Sequence, residues 1–138
     1  MHIIEKQIIA EELIFKTWKL YELVYDLDNV PIPTYDFQCR GINTAGHYQP
    51  KWNGNKATVM INLAYYHGGN TSNLEQTIAH EIAHHITKCI YPKAIQWHGP
   101  EFKSVMQSIG FNGSTYHSMN VKMARSEAIK AKNDLFDL

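Results

Sequence analysis

The sequence predicts one compact α+β domain, and three observations predict it. A helical period runs without glycine or proline from about Ile4 to Asp26. Two β-rich segments follow, joined through an Asn-Gly turn. Two more helical stretches come after, one carrying His80-Glu81-Ile82-Ala83-His84 and the next opened by His98-Gly99-Pro100. Helices and strands that are grouped rather than alternating read as α+β. A length of 138 residues suits a single domain, assigned to 1–138. With 44% apolar and 19% charged residues the chain can bury a core, and disorder is not expected.

In the first helix Ile9, Leu13, Leu20, Val24 and Leu27 recur at helical spacing, and Ile14, Trp18, Tyr21 and Tyr25 widen the stripe. That width predicts a helix covering a core. Pro31 and Pro33 end it and push the residues before them toward extended backbone. The first strand is expected from about Tyr35 to His47, broken or bulged near Gly41 and Gly46, and the second over Ala57–Leu63. Asn53-Gly54 between them is a strong hairpin signal, so a small antiparallel sheet is expected. After a loop at His67–Asn73, Ser72 or Asn73 is the expected cap of a helix over Leu74–Ile90, whose Leu74, Ile78, Ile82 and Ile86 form an i, i+4 row. Tyr91-Pro92 closes that helix. Pro100 fits the first position of the next, with Gly99 just outside, buried stripe Phe102, Val105, Met106 and Ile109, and Gly110 as terminator. Val121, Ala124, Ala128 and Leu135 predict a weaker final helix in an extension over residues 112–138.

Formal net charge is zero, which excludes wholesale nucleic-acid binding driven by charge. Cys39 and Cys89 belong to no CxxC pair, so there is no zinc ribbon, and reduced thiols are expected. Met1-His2-Ile3-Ile4-Glu5-Lys6 lacks the apolar core of a signal peptide, and no run reaches transmembrane length. A cytoplasmic protein, bacterial or from a phage-infected host, with no membrane partner is expected. Asn70-Thr71-Ser72 and Asn112-Gly113-Ser114 then read as chance matches to the glycosylation pattern.

Eight histidines are many for this length, and His80, His84, His85 and His98 crowd into one stretch. On a helix, His80 and His84 lie one turn apart on nearly the same face and can reach one metal ion. Glu81 lies about 100° round from His80, placed to hold a metal-bound water rather than the metal. This is the zinc-peptidase arrangement, two histidines plus a general base. Catalytic zinc takes a third protein ligand. His98 is the best candidate, because it precedes a helix after a loop that lets the chain turn back; Glu101 is the rival. His85 is off the His80/His84 face and reads as a surface residue or one that supports the site from behind.

His80-Glu81-Ile82-Ala83-His84, then His98-Gly99-Pro100-Glu101-Phe102 and Gly110, resembles the SprT-like metallopeptidases, which include the Spartan proteases. Thr44-Ala45-Gly46 and Ile61-Asn62-Leu63 resemble the hairpin before that family's zinc helix, so the resemblance covers about residues 35–111. It implies a zincin-like fold, Zn2+ as cofactor, and His98, the histidine of a His-Gly-x-x-Phe segment, as third ligand over Glu101. It also implies zinc endopeptidase activity on protein or peptide substrates. Cleavage of DNA-associated proteins carries over weakly, because the zinc ribbon or long tail that serves DNA binding in many relatives is missing here. The expected chemistry is a zinc-bound water with its pKa lowered toward about 7, deprotonated by Glu81. Tyr48, Tyr65, Tyr66, His67 and His117 are the available oxyanion partners. The alternative is a non-proteolytic DNA- or protein-binding module that keeps a structural zinc site.

Overall fold

The first helix, α1, spans Ile3–Glu22 in a computed structural model that describes residues 3–38, 44–51, 54–66 and 71–111. Three short strands follow: β1 (Thr34–Asp36), β2 (Gly46–Gln49) and β3 (Thr58–Ile61). A single 3-10 turn at Leu63–Tyr65 leads to helix α2 (Thr71–Ile90), and helix α3 spans Pro100–Ser108. Among the described residues, three α-helices and a three-stranded sheet make the α+β class expected. Among the described residues no helix is long and apolar enough to cross a membrane.

Helix α1 buries Ala10, Ile14, Thr17 and Tyr21, a line one position on from the predicted Ile9–Leu13 row, whose members are half-buried at its edge. The helix stops at Glu22, four residues early. Val24 and Tyr25 both turn their N–H groups back to Tyr21 O, and Val24 ends up exposed rather than in the stripe. Leu27 and Val30 regain the core from the loop.

The sheet order is β1-β3-β2. Strands β2 and β3 form the expected antiparallel pair, with Gly46 opposite Ile61 and Gln49 opposite Thr58. The connecting turn holds Gly54 at φ +83°, a left-handed backbone that glycine adopts without strain; Trp52 and Asn53 lie outside the described residues. The single strand expected over Tyr35–His47 is two strands. Strand β1 pairs with β3 in parallel, Thr34 opposite Thr58, so the sheet is mixed and not purely antiparallel. The physical reason is that alternation sets which face a residue takes, not the direction of its neighbour. The break expected at Gly41, Cys39, the loop at 67–70 and the final helix lie outside the described residues.

Helix α2 is the central element. Leu74, Ile78, Ile82 and Ile86 are buried as a row, each contributing about 1.5–3 kcal/mol of burial. The helix starts at Thr71, so Ser72 and Asn73 lie inside its first turn rather than at its cap. A polar run of three offers several caps, and propensity does not choose among them. From Thr77 to Thr87 every residue is buried, because α1, α3 and the sheet all pack on this stretch.

Helix α3 begins as predicted, with Gly99 as cap in extended backbone and Pro100 at its first position. It ends in a Schellman motif. Gly110, at φ +94°, bonds its N–H to Gln107 O, and Phe111 bonds to Met106 O.

The Tyr21 hydroxyl ties α1 to α2 by donating to Ala79 O at 3.0 Å, with Met106 Sδ at 3.9 Å. Burial pushes this phenol's pKa well up, so it stays a donor. Tyr21→Phe should destabilise the fold by about 0.5–1.5 kcal/mol in urea unfolding. An unchanged midpoint would show that packing alone holds the two helices.

Candidate metal centre

The first two site histidines sit mid-helix, where the backbone is fully bonded and the surroundings are dry. His80 and His84 are 4% and 7% exposed. Their Nε2 atoms lie 3.2 Å apart, and His98 Nε2 lies 3.3 Å from His80 Nε2. One ligand atom from each of the three falls within 4.8 Å of the other two, and among the described residues no other His, Cys, Asp or Glu set converges like this. The spacing fits a tetrahedral divalent ion. Metal–nitrogen bonds of about 2.0–2.1 Å at tetrahedral angles separate the nitrogens by about 3.3 Å. A cation among them accepts all three lone pairs at once. These three residues can therefore hold a metal ion.

The loop after α2 brings His98 back. Gly99 N–H bonds Gln96 O at 3.3 Å, and α3 then begins at once, anchored by Phe102. Phe102 is fully buried and forms the floor of the site. Its ring stacks on His84 at 4.4 Å and meets His80 at 4.9 Å and His98 at 5.0 Å edge-on. An apolar floor fixes the imidazole planes and lowers the local dielectric. Trp97, half-exposed, meets His84 edge-on at 5.5 Å from the outer side.

Glu81 is 2% exposed on the same turn as His80 and is not one of the converging ligands, as helical geometry predicts. Glu101, the rival third ligand, lies outside the convergent set too.

His85 is not a surface residue: it is 1% exposed, because strand β2 and the Pro31 loop cover the side of α2 that it faces. Its Nε2 lies 2.6 Å from Pro31 O, and a carbonyl can only accept, so Nε2 carries the proton. Nδ1 then accepts from the Tyr48 hydroxyl at 2.8 Å; the tautomer is assigned from this network. Burial lowers the His85 pKa, and the Pro31 bond only partly offsets that, so the ring is held neutral. Tyr48 lies nearly parallel to His84, 6.2 Å between centroids, so His85 anchors a tyrosine that in turn backs a metal-facing histidine. With its proton committed to His85, Tyr48 leaves the set of oxyanion donors. Tyr65 and Tyr66 are buried beside Leu74 and Thr77, at the first half of α2. His67 and His117 lie outside the described residues.

Sequence reasoning placed Phe102 in the core but missed that it lies under all three imidazoles; its position four residues after His98 was the available signal. Nothing in the sequence marked Trp97 or the Pro31 carbonyl.

Two substitutions test this geometry. His98→Ala should reduce bound metal from one per chain to well below that in elemental analysis; full retention would remove His98 from the site. Tyr48→Phe should leave His85 Nδ1 buried without its donor, costing about 1–3 kcal/mol in chemical unfolding. The same stability as wild type would mean that the Tyr48–His85 bond holds nothing in place.

Comparison with known proteins gives the family. The chain is 30% identical over 101 residues to Protein SprT of Vibrio parahaemolyticus serotype O3:K6 (strain RIMD 2210633). That alignment takes in 72% of this chain and 58% of the relative, so the match spans little more than half the relative's length. No solved structure matches. A sequence model of the SprT-like family matches residues 16–125, which include both helices of the site and the sheet, and this protein belongs to the SprT-like family.

Proposed function

We propose that this protein is a zinc-dependent endopeptidase, with His80, His84 and His98 as zinc ligands and Glu81 as general base. The observation that carries the reading is the pairing of three converging imidazoles with a buried carboxylate one residue along the same helix. A structural zinc site is normally closed by four protein ligands. The convergent set among the described residues has three, which favours a catalytic site over the binding-module alternative. Bound there, zinc would supply an acidified water, with a pKa of about 7, and a Lewis acid for the carbonyl oxygen.

The chain's own residues do the rest. Glu81 takes the proton of the attacking water and passes it to the leaving amine. Phe102 and Trp97 keep bulk water from the ligand rings. Strand β2 is an edge of the described sheet. Asn62 N–H bonds Ala45 O at 2.8 Å, so ladder alternation turns His47 toward Met60 and the N–H and C=O of Gly46 and Tyr48 away from β3. The Thr44 hydroxyl donates to Gly46 O at 2.7 Å, and a carbonyl retains a second lone pair. An extended peptide can add to that edge beside Glu81. A groove of about 90 Å³, open to solvent and lined by His84, Thr87, Tyr91, Ile95 and Trp97, gives a small neighbouring side chain room. This supports protein or peptide substrates as the proposal, with DNA-associated proteins as the class to try first.

Glu81→Gln should retain zinc and lose hydrolysis of a loosely folded protein by roughly 10²–10⁴-fold. Full activity in that variant would remove Glu81 as the base. Running the wild type with and without DNA decides the substrate class: stimulation supports DNA-associated targets, and equal rates give DNA no part.

A further inference from the structure

We propose that Gly46 is a positioning residue for Glu81: the side chain it lacks is the space the carboxylate occupies. The inference rests on the reading of Glu81 as base. Strand β2 runs along α2 with its buried face inward, so that Gly46 lies over Thr77 and Glu81, and Tyr48 over His84 and His85. Two residues along a strand match one turn of the helix. The same face thus carries its smallest residue over the base and a large one over the histidines.

Gly46 is not required by backbone conformation. Among the described glycines only Gly54 and Gly110 have positive φ. A glycine inside a strand weakens it, through chain entropy and the missing side chain, and marks a close approach. Here the approach is by Glu81. A Cβ at Gly46 would lie 2.9 Å from Glu81 Oε2, 3.0 Å from Glu81 Cγ and 2.9 Å from Thr77 Cγ2. Alanine would therefore have to displace the carboxylate. Glu81 is 2% exposed, so the displacement goes into packed surroundings and away from the position beside His80. The three atoms nearest the added methyl belong to Glu81 and Thr77 and to none of the metal ligands, which separates this effect from loss of metal.

The test is Gly46→Ala in the zinc-loaded full chain. Zinc stoichiometry and affinity should match the wild type. The kcat should fall by about 10- to 100-fold with KM little changed, as expected of a small misplacement of a catalytic group. A second readout needs no activity: in thermal unfolding, Gly46→Ala should lower the midpoint in the wild-type background and much less, or not at all, beside Glu81→Ala. Equal shifts in both backgrounds, or unchanged kcat with the methyl present, would overturn the proposal. Should the alanine chain fold poorly, adding Thr77→Ser removes the other atom at 2.9 Å and leaves the Glu81 contact to be read. Absence of hydrolysis in the wild type overturns the peptidase reading alone, and the unfolding comparison then still decides whether Gly46 makes room for Glu81.

Discussion

Polar side chains buried along one stretch of α2 are costly, and the rest of the described structure is arranged around that constraint. Thr77, His80, Glu81, His84, His85 and Thr87 are all buried, on a helix whose other residues there are isoleucine and alanine. Burying a polar group without a partner costs a few kcal/mol, and burying a charge costs more. An apolar helix would pack here at lower cost. The surrounding elements meet part of that demand: β2 delivers the Tyr48 hydroxyl and the loop after α1 the Pro31 carbonyl to His85, and α3 delivers His98 to His80, while among the described residues the Thr77 and Thr87 hydroxyls have no hydrogen-bond partner.

The two adjacent histidines show how position on one turn decides chemistry. His84 and His85 are the same residue type, but about 100° of helix rotation separates them. His84 faces His80 and the apolar Phe102 ring, where a cation is the natural partner for its lone pair. His85 faces the sheet side, where Tyr48 and Pro31 occupy both ring nitrogens and fix the tautomer. The second histidine is thus a strut for the first, acting through the Tyr48 ring.

Much of this was legible before any coordinates. The i, i+4 pair His80/His84, the offset of Glu81 and the Gly99-Pro100 helix start are local features, and local geometry fixes them. The i, i+4 isoleucine row predicted the core face of α2 correctly. Errors arose where a neighbour decides. Val24 is exposed because the turn after Glu22 rotates it out of the stripe, and β1 joins β3 in parallel although its residues read as part of a hairpin. His85 is buried because distant segments cover it.

The sequence by itself determined the class of the fold, the two metal-facing histidines and the placement of the carboxylate beside them, because each follows from the period of a single helix. The resemblance also favoured His98 over Glu101 as their partner; tertiary structure alone decided that Phe102 floors the site, that Tyr48 spends its proton on His85, and that Gly46 leaves room for Glu81. The reason is physical: periodicity records which way a side chain points, while contacts between segments dozens of residues apart depend on how elements pack, and a packing partner leaves no mark at the position it covers.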